Sequence, residues 1–162
     1  MKKIETEIII KPEDPRTPDI QKFINDLDAY QAELYPPESN HLEPVEKLIT
    51  PDYYFIAARI AGALLGIASF RRMPAHHGDQ PYVEIKRLYV PQKFRGMGLA
   101  TRLMDALEEK AIAEGYPKAC LETGISQHEA LRLYEKRGYQ KTEPFGAYQE
   151  DPLSVFMHKK LS

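Results

Sequence analysis

Residues 88–107 constrain the fold more than any other part of the sequence. They read LYVPQKFRGMGLATRLMDAL. A strand-like run ends at Pro91, a basic loop with Gly96 and Gly98 follows, and a helical pattern begins immediately afterwards. Glycines let a backbone approach a partner closely, and the amides at a helix start favour an anion. The segment therefore predicts a strand, an anion-binding loop and a helix in succession.

The hydrophobic patterns on either side of this segment predict a single mixed α/β (α+β) domain over residues 1–162. Strands are predicted at 7–11, 53–60, 64–71, 82–90, 118–123, 139–142 and 154–160. Helices are predicted at 19–34, with Asp19 as the cap, at 45–49, from the glycine loop to Gly115, and at 127–137. Three strands in meander precede the loop, so antiparallel pairs dominate and only the middle of the chain predicts a parallel crossover.

Three interpretations of the glycine loop compete before any resemblance is considered. A Walker A loop needs Gly-Lys followed by Ser or Thr, which the loop lacks. A dinucleotide fingerprint needs a third glycine where Thr101 stands, and a meander does not suit a doubly wound sheet, although Glu122 follows the next strand. A plain glycine turn before a surface helix is the third interpretation.

The loop RGMGLA, residues 95–100, fits the pattern R/Q-x-x-G-x-G/A, the acyl-CoA loop of the GNAT superfamily of N-acetyltransferases. The stretch EIKRLYVPQKFRGMGLATRLMDALEEKA resembles the central strand, loop and helix of that family, and LETGISQHEALRLYEKRGY resembles its next strand and helix. The resemblance implies the GNAT acyl-CoA N-acyltransferase fold. That fold has a central mixed, largely antiparallel sheet of about seven strands, helices on both faces and a splayed central strand pair.

The resemblance further implies acetyl-CoA as cosubstrate and no metal. Backbone amides at a helix start bind a pyrophosphate without a metal ion. The main chain of the central strand would bind the pantetheine arm in the gap beside strand 118–123, and Gln127 would contact that arm or cap its helix. The implied cofactor-binding residues are Leu88, Tyr89, Val90, Arg95, Gly96, Met97, Gly98, Leu99, Ala100, Thr101, Gln127 and Tyr134.

Two catalytic residues follow from the same resemblance. Glu84 matches the position from which some family members use a glutamate as general base, and an ion pair with Lys86 is the alternative. Tyr134 matches the tyrosine that protonates the departing thiolate, and a packed aromatic is the alternative. Direct attack in a ternary complex needs no protein nucleophile, so Cys120 is predicted to be a buried strand residue.

The alternation of side chains along a strand predicts which neighbours share a face of the sheet with Glu84. In an unbroken strand, Glu84, Lys86 and Leu88 share one face of the sheet. Arg87 and Tyr89 then lie on the opposite face.

The acceptor side is predicted to involve the loop LYPPESNHL between the first two helices. Tyr35, Glu38, Ser39 and His41 could line a polar pocket there, with His41 as a second candidate base. A proline-fixed surface loop is the alternative. Together with PFGAYQEDPLSVFM, this loop resembles one bacterial subgroup of GNAT proteins.

Composition restricts the partners. The formal net charge of −2 does not favour nucleic acid, and no apolar stretch is long enough to span a membrane. The single cysteine favours the cytoplasm. His76 and His77, with only Asp79 beside them, do not make a metal site.

The predicted activity is acetyl transfer from acetyl-CoA to a primary amine of a small molecule or a protein, by direct attack in a ternary complex. A non-catalytic acyl-CoA-binding module and an acyltransferase for another acyl chain are the alternatives. The patterns do not define the acceptor amine, the acyl-chain preference or the assembly, for which a homodimer is left open.

Overall fold

The computed structural model describes residues 7–39, 43–75 and 80–161. Within these ranges, seven strands form one sheet in the order β1-β2-β3-β4-β5-β7-β6, flanked by three α-helices. The elements are β1 Ile8–Pro12, α1 Pro18–Leu34, β2 Tyr53–Ile60, β3 Ala63–Met73, β4 Tyr82–Tyr89, α2 Leu99–Ala113, β5 Lys118–Gly124, α3 His128–Lys136, β6 Gln140–Thr142 and β7 Ser154–Lys160, with short 3₁₀ helices at Pro37–Ser39, Val45–Ile49 and Gln92–Phe94. Only β4 and β5 pair in parallel, so the predicted mixed, largely antiparallel sheet is confirmed.

Helices cover both faces of the sheet, as predicted. On one face α1 buries Ile20 and Ile24 against side chains of β2 and β3. On the other face α2 buries Leu103 and Leu107 in the larger core, which Tyr134 of α3 also joins. No helix in the described ranges is long and apolar enough to cross a membrane.

The start of α1 differs from its prediction. The helix begins at Pro18, so the cap position falls on Thr17, and Asp19 lies inside the first turn. Asp19 pairs instead with Arg59 of β2, at 2.7 Å between Oδ2 and a guanidinium nitrogen. The prediction of Asp19 as a cap is therefore wrong, because proline is well suited to the first position of a helix and the cap moves two residues towards the N-terminus, to Thr17.

The central strands β4 and β5 separate soon after they meet. Their parallel pairing covers three residue pairs and ends at Ile85 opposite Leu121. Both strands continue beyond this point, β4 to Tyr89 and β5 to Gly124, without pairing to each other. Backbone amides and carbonyls along this gap are available to an extended ligand. The predicted splayed pair is confirmed.

A β-bulge in β4 changes which side chains face which helix. The register against β3 shifts between Ile67 and Ser69, and Arg87 takes a left-handed φ of 55°. Arg87 consequently pairs with Asp28 of α1, on the face that Lys86 also occupies, and Leu88 packs into the core on the α2 side. The predicted alternation is wrong beyond Lys86, because one extra residue reverses the facing of everything after it.

Candidate active site

The loop between β4 and α2 is shaped by two glycines in left-handed conformations. Gly96 has a φ of 86° and Gly98 a φ of 74°. A Cβ atom at either position would meet no protein atom within 4 Å, so the backbone conformation is what requires glycine here. α2 starts directly at Leu99, and the amides of its first turn have no carbonyl acceptors within the helix. This end of α2 is suited to an anion.

A groove of about 570 Å³ runs from this loop along the open end of β4 to α3, and we call it the glycine-loop groove. The predicted cofactor-binding residues that line it are Leu88, Tyr89, Val90, Arg95, Gly96, Gly98, Leu99, Ala100, Thr101, Gln127 and Tyr134. Met97 is 46% exposed and does not line the groove. The sequence motif and the splayed strands thus contribute to one continuous cavity.

Arg95 joins the two sides of this groove. Its Nε donates a hydrogen bond to the carbonyl of Val90 at 3.1 Å, and its guanidinium pairs with Glu129 of α3 at 3.1 Å. Both partners hold the cation beside the glycines, where it adds positive charge to that of the helix terminus.

Tyr134 lies deep in the wall of the groove, with 7% of its surface exposed. Its ring packs edge-on against Tyr139, with centroids 5.8 Å apart. Burial raises the pKa of Tyr134 above that of an ordinary phenol, and the charge of Glu122 adds to the effect. The hydroxyl is therefore protonated at neutral pH and can act as a hydrogen-bond or proton donor.

A second cavity of about 90 Å³ adjoins the groove, and Leu27 and Gln127 line both. We call it the polar pocket, because charged and polar side chains dominate its wall: Gln31, Tyr35, Ser39, Glu43, Glu84, Lys86, Arg87, Glu122, Thr123, Gln127 and Tyr148. Glu38 is exposed and does not line it, and His41 lies outside the described residues.

Glu84 reaches this pocket from β4, with only 4% of its surface exposed. Its Oε2 accepts a hydrogen bond from the hydroxyl of Tyr148 at 2.5 Å and lies 3.8 Å from Lys86 Nζ. Burial raises the pKa of Glu84 above its ordinary value, while Lys86 and the Tyr148 hydrogen bond oppose that shift. A carboxylate in such surroundings is a stronger base than an exposed one.

A family model described as "Acetyltransferase (GNAT) family" matches residues 20–139. The chain belongs to the GNAT family of acetyltransferases. It is accordingly an acyltransferase of the N-acetyltransferase class.

Relatives over nearly the full length agree with this assignment. An IAA acetyltransferase of Azospirillum brasilense is 38% identical over 154 residues, 95% of this chain and 98% of that protein. The crystal structure of a Klebsiella pneumoniae protein assigned as an acyl-CoA N-acyltransferase has a TM-score of 0.77 and 34% identity, covering 96% of this chain and 98% of that one. YncA of Salmonella typhimurium, solved with its cofactor acetyl-CoA, shares the fold at a TM-score of 0.72 and 20% identity, covering 96% and 94%.

In this GNAT domain, Tyr35 closes the polar pocket over the end of β5. Its hydroxyl accepts a hydrogen bond from the amide of Ser126 at 3.2 Å. A Cβ atom at Gly124 would lie 1.6 Å from that hydroxyl oxygen, so glycine is required there for close approach. Gln127 braces the same turn, because its Oε1 accepts from the Thr123 hydroxyl at 2.8 Å and the Gly124 amide at 3.1 Å. The Gln127 side chain does not cap α3.

Tyr148, Glu43 and Arg87 are among the residues of the polar pocket that the sequence did not indicate as site residues. Tyr148 comes from the loop between β6 and β7, Glu43 precedes the 3₁₀ helix Val45–Ile49, and Arg87 reaches the pocket because of the bulge. Arg87 donates to Asp28 and to the carbonyl of Glu43, and Lys86 Nζ lies 3.4 Å from Glu43 Oε1. The stretch around Tyr148 carried the subgroup resemblance, which is the one signal that pointed to this loop.

Cys120 is not placed to act as a nucleophile. It is 1% exposed in the middle of β5, and burial raises its pKa to about 11. The thiol is protonated at neutral pH, as expected for a packed strand residue. Within the ranges that the structure describes, no three His, Cys, Asp or Glu side chains are grouped to hold a metal, and His76, His77 and Asp79 lie outside those ranges.

Proposed function

We propose that this GNAT domain transfers the acetyl group of acetyl-CoA to a primary amine by direct attack in a ternary complex. One observation carries the proposal: the glycine-loop groove and the polar pocket adjoin, with Leu27 and Gln127 common to both. Tyr134 lines the groove and Glu84 lines the pocket. A thioester in the groove and an amine in the pocket would therefore meet between a proton donor and a base. A cytoplasmic location stays a prediction from the single cysteine.

The donor half of the proposal rests on the loop and the open strand. The glycines and the first turn of α2 present backbone amides to a pyrophosphate, and Arg95 adds a positive charge. On the side that faces β5, the main chain at Leu88 and Tyr89 has no strand partner and offers hydrogen bonds to an amide-containing arm. Acetyl-CoA bound to the Salmonella relative of the same fold supports this choice of cosubstrate.

The chemical step would proceed in a defined order. Glu84, directly or through water, takes the proton that the ammonium must lose, and the amine lone pair attacks the thioester carbonyl carbon. The carbon–sulfur bond then breaks, and Tyr134 donates its proton to the departing sulfur. The acylated nitrogen gives up the one further proton that it must lose, and this proton restores the Tyr134 phenol. Burial raises the pKa of Tyr134, so the phenol carries the proton that this step needs at neutral pH.

Acetyl-CoA at about one hundred times its Kd is expected to raise the melting temperature of the protein by about 5–10 °C. The stabilisation follows because the ligand binds the folded chain and not the unfolded one. Differential scanning fluorimetry measures it, with NAD at the same concentration as the control. A shift with NAD and none with acetyl-CoA would contradict the assignment of the groove.

Transfer itself is tested by the release of the CoA thiol in the presence of amines. Binding of acetyl-CoA without thiol release for any amine class would contradict the enzyme and support an acyl-CoA-binding module. A higher kcat/KM with a longer acyl-CoA would support an acyltransferase for another acyl chain.

A further inference from the structure

We propose that the acceptor is a small polar primary amine that lacks a carboxylate group, and not an amine on a protein. The inference rests on the proposed function and deepens it. Three features of the polar pocket carry it: its size, the way its wall is fastened, and its charge.

The polar pocket is small. Its volume of about 90 Å³ compares with about 570 Å³ for the glycine-loop groove. At the roughly 10–30 Å³ that one water molecule needs, the pocket holds roughly three to nine water-sized groups. That space fits a short amine with one further polar group. A polypeptide acceptor would need an open groove for the residues that flank its amine.

Hydrogen bonds between two segments that are distant in sequence hold the wall of the pocket. The Ser39 hydroxyl donates to Asp151 Oδ2 at 2.6 Å, which joins the loop after α1 to the loop before β7. Asp151 Oδ1 accepts the amide of Leu153 at 2.8 Å, and Leu153 lines the pocket. Tyr35 closes the adjacent side through its bond with Ser126. These contacts hold the wall beside Glu84 in place, and the small volume of the pocket limits how much of an acceptor can enter it.

The charges of the pocket favour a cationic or neutral polar acceptor. Glu43, Glu84 and Glu122 contribute three carboxylates to its wall, and the cations Lys86 and Arg87 contribute two.

Both cations are already engaged. Arg87 pairs with Asp28, and Lys86 lies 3.4 Å from Glu43 and 3.8 Å from Glu84. Arg71 of β3, which does not line the pocket, lies 3.7 Å from Glu43. An ammonium is attracted here, whereas an acceptor carboxylate would be desolvated beside like charges.

A panel of primary amines with acetyl-CoA tests this class directly. Ethanolamine and ethylenediamine are expected to give a kcat/KM at least about tenfold above that of propylamine, β-alanine or a short peptide with a free N-terminus and a lysine. A faster peptide would overturn the size argument, and faster β-alanine the charge argument, while the proposed function would stand. If none of the amines tested gave thiol release, the proposed function itself would be overturned.

A substitution in the pocket wall gives a second measurement. Leu153→Ala is expected to raise the ratio of kcat/KM for a longer amine, spermidine, to that for ethanolamine by severalfold. The smaller side chain enlarges the polar pocket and leaves room for a longer acceptor. Leu131→Ala is the matched control, since Leu131 is a half-buried leucine of α3 that lines neither cavity. An equal ratio in both variants would contradict the role of the wall.

A separate observation assigns a role to Tyr148. We infer that Tyr148 is a positioning residue that fixes the carboxylate of Glu84 through its hydroxyl. The phenol donates to Glu84 Oε2 at 2.5 Å. Its ring is held by Phe145 and Phe156, with centroids 5.2 and 5.4 Å away. A ring fixed in this way defines the direction of the hydrogen bond and hence the orientation of the carboxylate.

Other charged and titratable groups also face Glu84, so the contribution of Tyr148 must be separated from theirs. They are Lys86 on β4, Arg71 on β3, Glu43 before the 3₁₀ helix Val45–Ile49, and Cys120 on β5. Tyr148→Phe leaves all four in place, retains the ring and removes only the hydroxyl.

Carboxyl ¹³C NMR of protein labelled at glutamate tests the role of Tyr148 without any substrate. A hydrogen bond to a carboxylate favours the charged form, so Tyr148→Phe should move the titration midpoint of Glu84 upwards by about half to one pH unit. Glu84→Gln assigns the signal, and Tyr54→Phe, on a tyrosine outside both cavities, is the control. An unmoved midpoint in the folded variant would overturn the positioning role.

Discussion

Replacing Glu84 with glutamine is expected to lower kcat/KM for the acceptor amine by about 100- to 10,000-fold, the usual contribution of a general base. The substitution keeps the size of the side chain and its hydrogen-bonding capacity towards Tyr148 but removes the proton acceptor. Acetyl-CoA affinity should not change, because Glu84 lines the polar pocket and not the glycine-loop groove. Steady-state kinetics together with calorimetric titration of acetyl-CoA measure the two effects separately.

The matched control is Glu135→Gln, which changes an exposed glutamate of α3. It should leave kcat/KM unchanged. Equal activity of Glu84→Gln and Glu135→Gln at every pH would contradict the base and leave Glu84 as the ion-pair partner of Lys86.

The pH dependence of the wild-type protein follows from the same residue. Burial raises the pKa of Glu84, and the active form of a base is the deprotonated one. Activity is therefore present above this pKa and is lost as the pH falls through it, with the midpoint above the ordinary glutamate value of 4.5. A raised carboxyl pKa also means that ionisation costs folding stability as the pH rises. Glu84→Gln should accordingly lose activity without losing thermal stability at neutral pH.

Local patterns were sufficient to predict the strands, most of the helices and an anion-binding glycine loop, whereas the splayed strands beside that loop were implied by the family resemblance. The apolar stripe of α2, with Leu103 and Leu107, has the helical period, and glycines punctuate both of its ends. The motif around Gly96 and Gly98 predicted a loop whose conformation depends on glycine. Such features depend on residues that are close in sequence, so the local pattern determines them.

The polar pocket was harder to predict because contacts distant in the sequence build it. Tyr148 and Glu84 lie 64 positions apart, and Ser39 and Asp151 lie 112 apart. No periodicity connects such pairs. Arg87 adds a second difficulty, since a left-handed φ on a residue other than glycine carries no compositional signal. The bulge that it forms reversed the predicted facing of Leu88 and Tyr89.

The hydroxyl of Tyr134 provides the second large expected effect. Tyr134→Phe should lower kcat by about 10- to 100-fold, because the departing thiolate loses its proton donor, while the Kd of acetyl-CoA changes less than about twofold. The ring and its edge-on packing against Tyr139 are retained, so the groove keeps its shape. Single-turnover measurement of acetyl transfer isolates the chemical step from product release.

The kcat and Kd effects separate the two interpretations of Tyr134. A packing role alone predicts that phenylalanine serves as well as tyrosine in turnover, since a core aromatic does not need its hydroxyl. Tyr54→Phe, on a half-buried tyrosine of β2, controls for loss of a phenol elsewhere and should leave both quantities unchanged. A single-turnover rate for Tyr134→Phe equal to that of the wild-type protein would contradict the proton donor. A reduced rate with unchanged Kd would mean that the hydroxyl acts after the cosubstrate has bound, as the position of Tyr134 in the groove wall leads us to expect.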